Sequence, residues 1–330
     1  MAETLNNGLG DMKNKPKYTF LLPAYKGKYF EQALNSIKNQ TFKDFLCIVS
    51  DDCSPEDLLS IYNKVCGGDD RFSYRKNEKN IGGSNLVAHW NLLVDLCKTD
   101  YFMMSGDDDI YLPTFLEEVD KLQCKYPTAG VIRARSQYID ENGEITDQDS
   151  SYQEYLNAIG FLFYRYNSFY VSGILNCVFN KVVFLRESQF TDFPVAWFSD
   201  EAAIIACSSH GICTTSNILT SMRISGINLS SQKNKNIAKL KIQAVLFFTD
   251  WLKTFIDRHC AATNLLESNQ LNAVLVSSDK YSSLCILAYT DSLSFIEKIK
   301  LYRKMVAGNY LKSVRHKVRF LVLLLLGLKQ

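Results

Sequence analysis

The chain has 330 residues, 47% of them apolar and 12% aromatic, enough for one large domain or two smaller ones around a sizeable core. Its 37 basic and 35 acidic residues leave a net charge of +2, which excludes nucleic-acid binding driven by bulk charge. Ten cysteines without a CxxC pair resemble neither a zinc ribbon nor a disulfide scaffold. Most lie in apolar runs (Cys47, Cys97, Cys177, Cys207), where a thiol behaves as a small hydrophobe, so a reducing, cytosolic compartment is expected.

Residues 1–17 form a polar tail without the apolar segment of a signal peptide. TFLLPAY (19–25) then reads as a strand running into a loop, 29–40 as a helix and FLCIVS (45–50) as a second strand. Ser54-Pro55-Glu56-Asp57 has the composition of a helix start, with Ser54 as cap and Pro55 at the first position. A short strand at 72–75, a helix at 83–98, a strand at 101–104, a helix at 113–126 and a strand at 129–134 follow. This alternation predicts an α/β domain with a mostly parallel sheet flanked by helices. Ligands of such sheets bind beyond the carboxyl ends of the strands, which places LPAYKG, SDDCSPED and SGDDDIYLP on one rim. Residues 138–170 are polar and aromatic by turns and are expected to include a mobile loop. Residues 171–224 read as a second half of the same domain, with a helix after Ser199. From about residue 237 the chain is helical, with apolar residues at helical spacing over 239–260 and 293–307. The last stretch, 312–330, sets Lys312, Arg315, His316, Lys317 and Arg319 before nine apolar residues. A spanning helix needs about 20, so this tail is expected to dock on an anionic membrane surface. Packing on the domain, or a homodimer contact through the C-terminal helices, is the alternative.

Chemistry concentrates on the rim. Asp107, Asp108 and Asp109 follow an apolar run, although like charges repel by about 1 kcal/mol at 4 Å even in water. Carboxylates at a strand end are the ligands that Mg²⁺ or a similar cation uses together with substrate phosphates. An acidic turn capping the helix at Pro113 is the competing reading. Asp51 and Asp52 repeat the design after the second strand, where Asp52 could accept a hydrogen bond from a base or ribose, or cap the helix after Ser54. IGGSN (81–85) supplies two glycines that permit close backbone approach to a ligand. No GxxxxGK[ST] occurs, which excludes a P-loop NTPase. The four histidines show no ligand spacing and read as structural.

The order LLPAYKG, SIKNQTFKDFLCIVSDDCSPED, NEKNIGGSN and DYFMMSGDDDIYLP resembles the family 2 glycosyltransferases, over about residues 17–230. The resemblance implies a GT-A fold with a Rossmann-like sheet, a nucleotide-sugar co-substrate and a divalent metal, Mn²⁺ or Mg²⁺. It implies a transferase domain over 18–232, with a nucleotide half (18–135) and an acceptor half (136–232), and a helical region over 233–330. By position, Pro23, Ala24 and Tyr25 would contact the nucleotide. Asp52 would bond the base with Asp51 beside it, Gly83 and Asn85 would line the nucleotide site, and Asp107 would lie near the ribose. Asp108 would hold the metal, with Asp109 able to share it. In WFSDEAAIIACSSHG the general base falls on Asp200, with Glu201 as the alternative and a helix-start role, capped by Ser199, competing for both. Trp197 beside it is the best candidate for an acceptor platform. MRISGINLSSQ keeps Arg223, Asn228 and Ser230 of the family pattern but has Met222 and Ser225 where an aromatic and a histidine are usual. Arg223 would face the diphosphate or form a structural salt bridge. The implied activity is inverting transfer from a nucleotide-sugar, such as a UDP-sugar, to a saccharide acceptor linked to undecaprenyl diphosphate, in O-antigen or capsule synthesis. The enzyme would then sit peripherally on the cytoplasmic face of the inner membrane. A sugar nucleotidyltransferase and a Ca²⁺-dependent membrane-binding module are the rival readings.

Overall fold

The computed structural model describes residues 16–168, 173–224, 226 and 234–327. Ser225, Asn228 and Ser230, most of the N-terminal tail and the last three residues of the C-terminal tail lie outside them. The apolar runs become strands β1 (Tyr18–Ala24), β2 (Phe45–Asp51), β3 (Phe72–Lys76), β4 (Tyr101–Met104), β5 (Ile110–Tyr111), β6 (Val131–Ile139), β7 (Ile145–Gln148), β8 (Tyr155–Leu156), β9 (Cys177–Asn180) and β10 (Ile212–Arg223). They form one sheet in the order β3-β2-β1-β4-β9-β6-β10-β5, with β7 on β6 and β8 on β10. The first four are parallel, as is β10 to β6. Strand β9 enters antiparallel between β4 and β6, so the sheet is mixed beyond β4. The expected division at 135/136 falls inside β6, and one sheet therefore serves both halves.

Successive residues of a strand point to opposite faces. Accordingly Leu21, Phe102 and Met104 join one core, with Phe161, Phe179 and Ile204, while Phe20, Leu22 and Met103 join the other, with Val49 and Phe115. The helices that cover these faces are α1 (Phe30–Lys38), α2 (Leu58–Cys66), α3 (Gly82–Leu96), α4 (Phe115–Lys125), α5 (Ala158–Asn167), α6 (Lys181–Glu187) and α7 (Ser199–Cys207). Four more follow: α8 (Lys235–His259), α9 (Leu265–Leu287), α10 (Phe295–Ala307) and α11 (Val314–Leu326). They enclose a third core containing Ile242, Val245, Leu287, Met305, Phe320 and Leu324. Among the described residues, no helix is long and apolar enough to cross a membrane. All ten thiols are free.

Three helix starts differ from the sequence expectation. Helix α2 opens at Leu58 behind Asp57, whose carboxylate accepts the Ser60 N–H at 3.1 Å. Ser54 lies ahead of the cap position: its hydroxyl donates to the Tyr25 carbonyl (2.6 Å) and accepts the Glu56 N–H (3.1 Å), which shapes the turn before the helix and not its first turn. Helix α4 opens at Phe115 behind Thr114, so the acid run lies upstream of it and caps nothing. Helix α7 opens with Ser199 already helical, behind a left-handed Phe198 at φ 70°.

Candidate active site

The rim is built by hydrogen bonds between loops far apart in sequence. After β1, Asp107 Oδ2 accepts the N–H groups of Tyr25 and Lys26, both at 2.8 Å. The Ala24 carbonyl accepts the Asp52 N–H at 2.9 Å, so Pro23, Ala24 and Tyr25 are held against both acidic loops. Asp51 is fully buried; its carboxylate accepts from Ser54 N–H and from the Tyr74 hydroxyl (2.6 Å), with Lys76 Nζ at 3.3 Å. Asp52 accepts from Ile81 N–H (2.9 Å), Gly82 N–H (2.6 Å) and the Asn77 amide (2.8 Å). A Cβ on Gly82 would meet Asp52 Oδ2 at 2.9 Å. This glycine therefore lets the backbone approach the protein's own carboxylate, where the sequence suggests a ligand. Both acids thus order the loops around the opening of α3.

Helix α3 breaks at Asn85 (φ −150°, ψ 98°). The Asn85 side chain accepts the Ala88 N–H at 2.8 Å and so caps the longer second part. Its amide donates to Asp192 Oδ2 at 2.8 Å, and Asn91 bonds both the N–H and the carbonyl of Phe190. These bonds hold the segment that leads into α7. Gly83 sits in the first turn, its N–H on Asn80 Oδ1. In the approach to α7, Val195, Ala196 and Phe198 all have positive φ (53°, 55° and 70°). Such conformations cost about 1–2 kcal/mol each for residues with a Cβ, and they cluster where a site must be held in shape. Phe198 is kept there by stacking on Phe248, ring centres 4.5 Å apart.

A cleft of about 500 Å³ opens between this segment and the acid loop. Asp108, Asp109, Asp200 and Arg223 line it together, with Trp197 on its wall. Pro23, Ala24, Tyr25, Asp51, Asp52, Gly83, Asn85 and Asp107 are not on its lining; they frame the neighbouring carboxyl edge of β1 to β3. Asp109 Oδ1 accepts the Arg223 N–H at 2.9 Å. A Cβ on Gly106 would meet Asp109 Oδ2 at 2.5 Å and Asp108 Oδ1 at 3.2 Å, so both carboxylates converge over a position open only because it is glycine. Burial, then the charge of Asp107, raises Asp108 above the ordinary carboxylate range; burial, then the charge of Asp108, raises Asp109; and burial raises Asp107 too. Among the described residues no three His, Cys, Asp or Glu side chains form a protein-only metal cage. Two converging, mutually repelling carboxylates do fit a cation that takes its remaining ligands from a diphosphate.

Arg223 holds the acid loop in place from the cleft lining. It is buried, and its guanidinium donates to the carbonyls of Asp108 and Asp140 and to the Gln32 amide oxygen, each at 3.0 Å, under the Tyr29 ring. It clamps the acid loop to the turn after β6 and to Gln32 of α1, while remaining on the cleft lining.

Asp200 points into the cleft with Oδ1 on the Glu201 N–H at 2.9 Å. Burial, then the charge of Glu201, pushes its carboxyl up to about 6. Glu201 is paired with Arg165 at 2.7 Å, which withdraws it from proton transfer. Arg165, Tyr281 and Lys241 also line the cleft and escaped the sequence reading. Lys241 had a signal: it is a lysine at a buried α8 position beside Ala238, Ile242 and Val245. Its Nζ lies 4.3 Å from the Trp197 ring centre. Trp197 Nε1 is buried without a hydrogen-bond partner among the described residues.

Comparison with known proteins agrees with this architecture. The chain is 31% identical over 140 residues to an uncharacterized glycosyltransferase of Methanocaldococcus jannaschii, covering 42% of this chain and 47% of the relative. It is 34% identical over 95 residues to the GalNAc(5)-diNAcBac-PP-undecaprenol beta-1,3-glucosyltransferase of Campylobacter jejuni, covering 28% and 30%. The matches thus span half or less of these curated relatives. Among solved structures, S. aureus TarS 1-349 in complex with UDP-GlcNAc superposes with a TM-score of 0.59 at 15% identity, covering 94% of this chain and 92% of that one. The mannosyltransferase PcManGT from Pyrobaculum calidifontis, in complex with GDP-Man and Mn²⁺, gives 0.53 at 11% identity, covering 95% and 88%. These likenesses share the fold. The family model of glycosyl transferase family 2 matches residues 19–186, half of the chain, and together with the relatives and the acid-lined cleft it identifies a glycosyltransferase that belongs to that family.

Proposed function

We propose that the enzyme transfers a sugar with inversion from a nucleotide-sugar, in the first instance a UDP-sugar, to an acceptor hydroxyl deprotonated by Asp200. The observation that carries this reading is the placement of Asp200, with its raised proton affinity, in the same cleft as Asp108 and Asp109. Asp200 accepts the hydroxyl proton while the acceptor attacks from the face opposite the nucleotide. The partly exposed Trp197 ring offers a stacking face for the acceptor sugar. Asp108, with Asp109, would hold Mn²⁺ or Mg²⁺, which when bound neutralises charge on the departing diphosphate. Pro23 to Tyr25, Asp51, Asp52, Gly83, Asn85 and Asp107 contribute by shaping the nucleotide edge of the sheet. Support for a UDP-sugar comes from the donor in the TarS structure, and for an undecaprenyl-diphosphate-linked saccharide from the Campylobacter relative. That acceptor class belongs to surface-polysaccharide assembly. The matching surface is α11, whose exposed Val314, Val318 and Val322 lie beside Arg315 and Arg319 and would rest on the cytoplasmic face of the inner membrane. A nucleotide-release screen with UDP-, GDP- and dTDP-sugars, with and without Mn²⁺, tests the donor reading. Release from none of them in the presence of acceptor extracts refutes it.

A further inference from the structure

After Glu297 the chain carries no acid, and nine of its last 33 residues are Lys or Arg. Taking those nine from the total of 37 leaves 28 basic against 35 acidic residues in everything that precedes, so the positive charge of this protein is gathered at one end. Helix α11 packs on α9 through buried Phe320 and Leu324, and two polar contacts fix it there: Lys312 to Asp279 at 2.7 Å and His316 to Ser283 at 3.0 Å. Beside these contacts a cleft of about 240 Å³ runs between the two helices. Its apolar side includes Leu284, Phe320 and Leu323, and its cations are Lys280, Arg315 and Arg319. All three cations are exposed, and neither Lys280 nor Arg315 meets a carboxylate among the described residues. The exposed stripe Val314, Val318, Val322 and Leu325 runs along the same helix, spaced so that it can lie on a surface while the cleft opens beside it.

We propose that this cleft is a binding site for an anionic lipid of the bilayer surface, with the lipid phosphate among Lys280, Arg315 and Arg319 and its first methylenes on Leu284, Phe320 and Leu323. The charge complementarity is local: α10 also carries exposed Lys300 and Arg303, but they do not line the cleft. The inference rests on the membrane-surface reading above and adds a defined lipid site to it. Full-length protein is floated with vesicles of dioleoylphosphatidylcholine alone or with 30 mol% dioleoylphosphatidylglycerol. Wild type is expected to float with the anionic vesicles only. Lys280→Glu with Arg315→Glu should lower that partition by about 25-fold or more, from about fivefold per cation removed. Lys300→Glu with Arg303→Glu makes the same charge change and should cost less than about threefold. Both pairs change exposed side chains, and an unchanged thermal melt confirms folding. Equal losses in the two pairs would overturn the lipid site and leave membrane docking standing. A wild type that does not float would overturn both.

Discussion

Asp200→Asn separates the chemistry of the base from its strain. The native carboxylate is buried beside Glu201 and titrates near 6 where an ordinary aspartate titrates near 3.8. That difference of about two units, at 1.36 kcal/mol each, means that ionised Asp200 destabilises the fold by about 3 kcal/mol at pH 8. The sign follows from the raised folded value: the native state favours the proton, so the relative stability is present at low pH and is lost as pH rises through 3.8 to 6. Asparagine is neutral, nearly isosteric, and its Oδ1 can still accept the Glu201 N–H. With an unfolding entropy of about 2.1 cal/mol/K per residue over this chain, the variant should melt about 4 °C higher at pH 8 and show little gain at pH 4. Turnover should fall by about 10²–10⁴, as expected for loss of a general base, while UDP binding is unchanged. The assays are differential scanning fluorimetry at both pH values, nucleotide release, and calorimetric UDP titration. A variant that keeps wild-type turnover, or that melts lower at pH 8, refutes the assignment.

The neighbouring acid should behave in the opposite way: Glu201→Gln leaves Arg165 buried and uncompensated and should cost about 3–5 kcal/mol, read by chemical denaturation. Asp108→Asn should raise the metal-free melting temperature by relieving repulsion with Asp109 and abolish the stabilisation given by Mn²⁺ plus UDP, which for wild type is about 2.7 kcal/mol at 100-fold saturation; intact stabilisation would exclude Asp108 as a ligand. Asn85→Ala removes a cap and the bond to Asp192 and should cost about 1 kcal/mol. Its effect should be less than additive with Asp192→Ala in a double-mutant cycle of melting and kcat. For wild type, kcat/KM should fall tenfold per pH unit below about pH 6 as Asp200 takes its proton in the free enzyme.

The rim was legible in the sequence because its acids follow short apolar runs, a local pattern that survives in a single strand and loop. SDDCSPED and MMSGDDDIYLP announce their strand ends, and the Asp200 helix announces itself by two acids before an apolar run. The inward commitment of Asp52 was not legible, since its donors come from Ile81, Gly82 and Asn77, 25 to 30 residues away. The same holds for Arg223, whose guanidinium donates to the backbone carbonyls of Asp108 and Asp140, groups that every residue carries and no sequence pattern marks, and to Gln32, 191 residues before it. Strands β5, β7 and β8 are two to four residues long and take their shape from a neighbour, so they lack a periodicity to detect. Arg165 and Lys241 reach the cleft from helices whose placement depends on the whole core.

The bonds that shape the acid loop have a consequence for synthesis of the chain. Asp107 is tied to a loop 82 residues before it, and Asp109 to Arg223, 114 residues after it. The carboxylates therefore acquire their convergence only when β10 has joined β6. Closing loops of that length is a late and slow event in the growth of a sheet. A nascent chain that has exposed only the first four strands has the nucleotide edge without the clamped acids. On the proposed reading, competence to hold a nucleotide-sugar and its metal would arrive only once β10 is in place, and a nascent chain short of Arg223 would lack the clamp on its acids.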